Sequence, residues 1–177
     1  MNADFFDRDY YMRGIESRKS NYQQYRWLPE MTIPMVMTMI DLLDITREDK
    51  ILDIGCAFGY VVKAFRMLHR DAWGIDISEF AINNVDPAVK GHCFLPDKAP
   101  DWFKKTKFDV CIAKDVFEHI PHTEINQQLK NINGSFLFAI IPLGEDKKYF
   151  APANDFDLSH EICETADWWT KTLADAG

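Results

Sequence analysis

Residues 51–60, ILDIGCAFGY, decide the fold: the apolar run ILDI carries one acid, Asp53, and then breaks into small residues. Such a run, ended by Gly55, Ala57 and Gly59, reads as a buried strand entering a tight turn and then a helix. Working outward, apolar runs recur at 72–77, 92–95, 108–113 and 135–141, and the segments between them carry helical patterning or turn signals. YVVKAFRMLHR places Val61, Phe65 and Leu68 on one face, SEFAINNV opens on a capping Ser78, and TEINQQLKNI opens on Thr123. Near-continuous apolar strands alternating with helices need cover on both faces. The fold class is therefore α/β, a doubly wound, mostly parallel sheet with helices on both faces.

The 177 residues fit a single domain, with 1–30 an aromatic and basic cap and 31–177 the α/β core. In the cap, Tyr10, Tyr11, Tyr22, Tyr25 and Trp27 stand among Arg13, Arg18, Lys19 and Arg26 without periodicity. TIPMVMTMIDLLDI reads as a buried helix capped by Thr32, with Pro34 near its first turn and Met35, Met39 and Leu42 on one stripe. Residues 142–164 form a long aperiodic segment, and such loops in compact domains are functional or disordered. TADWWTKTLADAG closes the chain as a helix capped by Thr165 and ended by Gly177.

Composition narrows the partners. Hydrophobic residues at 47% and charged residues at 27% are globular values, and no apolar run approaches the roughly 20 residues of a membrane span. The acidic N-terminal residues lack the pattern of a secretory leader, so a cytoplasmic location and no membrane partner are expected. A formal charge of −8 argues against nucleic acid, and KKTK at 104–107 reads as a solvated loop. Cys56, Cys93, Cys111 and Cys163 are too widely spaced for a zinc-binding pair and are expected as reduced thiols.

Three ligand classes compete for the glycine turn. A phosphate loop needs a Lys followed by Ser or Thr after its second glycine, which is missing here. A dinucleotide fingerprint counted from Gly55 would put Tyr60 where the helix must pack closely, and Asp53 would repel a pyrophosphate. A cationic ligand reverses that sign.

At this point the sequence resembles the class I S-adenosylmethionine-dependent methyltransferases. LDIGCAFGY is similar to their glycine-rich first motif, with Ala57 in place of a common glycine. AWGIDIS ends a second strand with Asp76, 23 residues beyond Asp53, where doubly wound folds present an acid to ribose hydroxyls. FDVCIAKDVFEHIP and SFLFAIIP resemble the fourth and fifth strands, and DLSHEICETADWW the family's His before a Trp-containing helix. The resemblance implies a Rossmann-like fold and S-adenosyl-L-methionine as cofactor. It further implies cofactor contacts from Asp53, Gly55, Cys56, Ala57 and Gly59, from Asp76 and Ile77, and from Lys114 at the fourth strand. Adenine is expected near Ile77, with Asp97 a candidate for its amine.

The implied reaction is methyl transfer to a small-molecule acceptor, a sugar or another metabolite. The alternative is a C-terminally shortened cofactor-binding or interaction module without turnover. Positioning supplies much of the rate in such a displacement, and a histidine base helps with a hydroxyl or ammonium acceptor. His119, just after the fourth strand, and His160, in the long loop, are the catalytic candidates; His69, His92 and His122 read as ordinary surface or turn residues. Asp115, Glu118 and His119 would share one helical face and could hold an ion, but acids beside a cationic cofactor have another explanation, so no metal is expected. Cap aromatics could cover the sulfonium, with Arg13 or Arg18 on the methionine carboxylate. The family's C-terminal strand hairpin has no counterpart here, so SFLFAII is expected as an apolar edge covered by the long loop or by a second copy in a homo-oligomer.

Overall fold

The structure, a computed structural model, describes residues 3–177. Five strands, β1 (Lys50–Ile54), β2 (Asp71–Ile75), β3 (Cys93–Phe94), β4 (Phe108–Lys114) and β5 (Gly134–Ile140), form one sheet in the order β3-β2-β1-β4-β5. β1 runs parallel to β2 and β4, and β2 parallel to β3. Each strand lies within two residues of its expected position, and helices flank the sheet. The order reverses between β1 and β4, the switch point at which open α/β sheets place ligands.

The helices are α1 (Arg8–Met12), α2 (Gly14–Ser17), α3 (Pro29–Leu42), α4 (Tyr60–Met67), α5 (Glu79–Asn83), α6 (Asp101–Lys105), α7 (Ile125–Lys130) and α8 (Ala166–Ala176). A short antiparallel ribbon pairs β6 (Gly144–Glu145) with β7 (Lys148–Tyr149). No helix among the described residues is long and apolar enough to cross a membrane, and the four cysteines are free thiols.

The chain forms two compact units. One comprises residues 26–113 and 133–138; its core is Ile51, Val62, Phe65, Ala72, Cys111 and Ile112, all fully buried. Trp73, Phe94, Trp102, Phe103 and Phe108 form an aromatic cluster, with Trp73 stacked on Phe94 and edge-on to Trp102 at a centroid distance of 4.8 Å. Lys104 and Lys105, expected in a solvated loop, instead end α6, where their charge complements the negative end of the helix dipole.

α3 begins at Pro29 rather than at a Thr32 cap, and its buried residues are Val36 and Met39, while Leu42 is 65% exposed. MVMTMIDLL is apolar at almost every position, so periodicity could not fix the phase of its buried stripe. In α4 the buried residues are Val62, Ala64 and Phe65, one position on from the expected Val61. Ser78 caps α5 as expected, its Oγ accepting from the Ala81 N–H at 3.0 Å. None of the residues of edge strand β5 is fully buried, and Phe136 is half exposed.

The other unit comprises residues up to Tyr25, 114–132 and 139–177. Its N-terminal part, expected to be irregular, contains α1 and α2, with the Asp7 carboxylate capping α1 by accepting from the Tyr10 N–H. Tyr10 and Tyr11 are buried there, against Phe6, Tyr22 and Tyr25. α7 starts after Glu124 rather than at Thr123, and Thr165 caps α8 as expected. Between β6 and β7, Asp146 and Lys147 both take positive φ (51° and 61°), the geometry of a tight type I′ hairpin.

Candidate functional site

The glycine turn after β1 is held against the end of β2. The N–H groups of Gly55 and Cys56 both donate to the Ile75 carbonyl, at 2.8 and 3.0 Å. Gly74, in register with Asp53, explains how close the approach is: a Cβ there would lie 2.7 Å from both Cβ and Sγ of Cys56. Gly55 and Gly59 take positive φ (73° and 75°), and Ala57 takes φ 47°, a conformation that strains any residue with a Cβ.

Two acids close this turn. Asp53 on β1 is 3% exposed and Asp76, just beyond β2, is 8% exposed. Asp76 accepts from the Ala57 N–H through Oδ2 (2.8 Å) and from the Ser78 N–H through Oδ1 (2.7 Å). Burial raises its pKa, against the lowering effect of those two donors. No basic residue occurs from Asp53 to Val62, and the next one, Lys63, is bound to Asp86 at 2.8 Å and lies 4.6 Å above the Trp27 ring. The local sign is negative. Ile77, next to Asp76, is 46% exposed and offers an apolar face. The Cys56 thiol is buried beside Cys93, and both facts push its pKa up.

In the other unit, a 3-10 turn at Phe117–His119 follows β4. The Glu118 carbonyl accepts from the N–H groups of Glu161 (2.7 Å) and Ile162 (3.0 Å), which docks the 157–162 loop and brings His160 beside His119, ring centroids 4.7 Å apart. The Glu118 side chain is fully buried, and neither carboxyl oxygen has a hydrogen-bond partner among the described residues. Its Oε1 lies 3.8 Å from His119 Nε2 and 4.0 Å from His160 Nε2. Burial pushes the Glu118 carboxyl up to about 8 and His119 down to about 4, and it lowers His160 as well.

The orientation of His119 is fixed from behind. Ser159 Oγ donates its only proton to Asp157 Oδ1, and Asp157 Oδ2 accepts from the Tyr10 hydroxyl at 3.0 Å. Ser159 Oγ, 2.9 Å from His119 Nδ1, must then accept from Nδ1–H. That leaves the lone pair on Nε2, the ring nitrogen 3.8 Å from Glu118 Oε1. Phe6 packs edge-on to the same imidazole.

The structure thus gathers Asp53, Gly55, Cys56, Ala57, Gly59, Asp76 and Ile77 around one turn, and His119 with His160 in one cluster. Lys114 is ion-paired with the adjacent Asp115. Asp115 takes a positive φ of 53°, which breaks the helical spacing on which the expected Asp115–Glu118–His119 face depends. Arg13 is held by Asp9 at 2.6 Å, and Asp97 is exposed. Tyr10, Glu118, Asp157 and Ser159 were not singled out as a cluster by sequence; D-x-S-H at 157–160, within the docking loop, was the only local signal.

Residues 52–136, just under half the chain, match the family described as a methyltransferase domain. Over that stretch the chain is similar to methyltransferase domains. No curated protein matches the sequence. Among solved structures, it resembles an S-adenosylmethionine-dependent methyltransferase from Archaeoglobus fulgidus (14% identity, 82% of this chain and 68% of that one, TM-score 0.59). It also resembles the N-terminal domain of EvdMO1 with S-adenosylhomocysteine bound (14%, 95% and 88%, 0.59) and the [4+2]-cyclase SpnF (13%, 90% and 62%, 0.62). At these identities the likeness is one of fold, and the chain spans about two thirds of the length of the first and third of these proteins.

The residues of the turn suit the methyltransferase cofactor. Two N–H donors leave acceptor capacity on the Asp76 carboxylate for ribose hydroxyls, since a carboxylate offers about four lone-pair sites. Asp53 gives the turn the sign that an ammonium and a sulfonium require, and the exposed face of Ile77 suits adenine.

Proposed function

We propose that this chain transfers the methyl group of S-adenosylmethionine to a hydroxyl of a small-molecule acceptor such as a sugar. The observation that carries the reading is the pair of buried acids, Asp53 and Asp76, flanking a glycine turn without a basic residue. When bound, the cofactor supplies an electrophilic methyl on a cationic sulfur. The chain binds and orients: Asp76 holds ribose, the backbone at Gly55, Cys56, Ala57 and Gly59 receives the methionine part, and Asp53 complements its charge. His119 and His160, joined by Glu118 after β4, are the acceptor-side groups that ease removal of the hydroxyl proton.

Incubation with methyl-labelled S-adenosylmethionine and a panel of hydroxylated metabolites tests this. Label in one acceptor class, lost when His119 and His160 are both replaced by Ala, supports the reading. Cofactor binding without turnover across the panel supports instead a cofactor-binding module.

A further inference from the structure

We infer that Glu118, His119 and His160 form a binding site for one divalent first-row transition-metal ion. The sequence directed attention to Asp115 as the third ligand; the structure substitutes His160, brought in by the loop that docks on the Glu118 carbonyl.

Three observations carry the inference. The first is the orphaned carboxyl. Carboxylates are almost never fully buried unless paired, yet Glu118 is wholly inaccessible with both oxygens unpartnered. The second is spacing. At 3.8 and 4.0 Å, the two Nε2 atoms are too far from Oε1 for hydrogen bonds. Both separations are nevertheless shorter than the roughly 4.2 Å that two metal–ligand bonds of about 2.1 Å can span end to end. The three donor atoms all lie within 4.8 Å of one another.

The third observation is the support behind one ligand, His119. Metal-bound imidazoles characteristically donate their second ring N–H to an oriented acceptor. His119 does so to Ser159, itself anchored by Asp157 and Tyr10.

Two nitrogens and one oxygen favour zinc, cobalt, nickel, iron or manganese over magnesium or calcium, which prefer all-oxygen sets. Three protein ligands leave an open position for an oxygen ligand. With the acceptor hydroxyl in that position, the ion would lower its pKa, the proton would leave to solvent, and the alkoxide would be the nucleophile. That use rests on the proposed function; the binding site itself does not.

The test uses the full chain, stripped with a chelator and dialysed. Cobalt(II) is titrated with visible absorption as the readout and zinc(II) by calorimetry. Binding of S-adenosylhomocysteine to the stripped wild type is measured separately. The expected result is one ion per chain with a visible ligand-field band, weakened about 100-fold or more by E118Q or H160N and about 10–100-fold by S159A, which keeps all three ligands. Circular dichroism confirms that each variant compared is folded; if E118Q is not, H160N and S159A decide.

No saturable binding up to millimolar metal would overturn the inference. So would affinity unchanged in the folded variants, or a near-ultraviolet thiolate charge-transfer band placing the ion on cysteine. Loss of metal binding alongside intact S-adenosylhomocysteine binding contradicts this inference alone. Failure to bind S-adenosylhomocysteine contradicts the proposed function and leaves the metal result standing.

Discussion

The backbone N–H of Ala57 donates to Asp76 Oδ2 at 2.8 Å, tying the glycine turn after β1 to the acid that ends β2. The same carboxylate accepts from Ser78 through its other oxygen, so it positions the turn and the start of α5 together.

Replacing Asp76 by Asn puts an amide NH2 opposite one of these two N–H donors and removes the charge that ribose hydroxyls would meet. Hydrogen bonds to charged groups contribute about 1.5–3 kcal/mol. Asp76→Asn is therefore expected to weaken S-adenosylhomocysteine binding by about 10–100-fold in calorimetry. Unchanged affinity would show that ribose is held elsewhere.

Ala57 carries backbone strain at φ 47°. A left-handed conformation costs a residue with a Cβ about 1–2 kcal/mol, partly offset by the extra freedom of glycine in the unfolded chain. Ala57→Gly is expected to stabilise the protein by about 1 kcal/mol, raising the melting temperature by about 2–4 °C. A lower melting temperature would mean that the Ala57 methyl packs well enough to outweigh the strain.

Gly74 lies under the turn with no room for a side chain. In Gly74→Ala the new Cβ would meet Cys56 at 2.7 Å, inside β2, where the backbone has little freedom to yield. A loss of about 1–3 kcal/mol in denaturant unfolding is expected, together with weaker cofactor binding from the displaced turn. Wild-type stability and affinity would contradict the close approach.

Lys63 and Asp86 form a partly buried pair at 2.8 Å. Burial alone would raise the Asp86 pKa, but the hydrogen bond from Lys63, the Ala88 N–H and the Lys63 charge together lower it below 3.8. A carboxyl depressed on folding stabilises the native state above its unfolded pKa, and that contribution is lost as pH falls through the folded value. Asp86→Asn is therefore expected to cost about 1 kcal/mol at pH 7, with the difference from wild type closing below about pH 4. Equal stability at pH 7 would show that desolvation cancels the pair.

The sheet could be read from the sequence because strands buried on both faces are almost continuously apolar. ILDI, AWGI and FDVCIA announce themselves without help from their neighbours. The buried stripe of α3 could not, since a segment with nearly every position apolar has no polar residues to mark its exposed face. The β6–β7 ribbon was hidden because Asp146–Lys147 adopts a turn that Asn-Gly normally signals. Asp53 and Asp76 stood out as acids ending apolar runs, whereas Glu118 looked like an ordinary turn acid. Its burial follows from a contact between segments about 40 residues apart, as does the meeting of His119 with His160. Lys114 shows the converse: its position at the end of β4 was clear, and its partner, the adjacent Asp115, was set by a local backbone conformation that spacing does not reveal.

The sign of the charge around the glycine turn is most directly tested by calorimetric titration of the wild-type protein with S-adenosylhomocysteine and, separately, with NAD. Saturable binding of one S-adenosylhomocysteine per chain and no heat from NAD is the expected result. Saturable NAD binding, with S-adenosylhomocysteine silent, would contradict it.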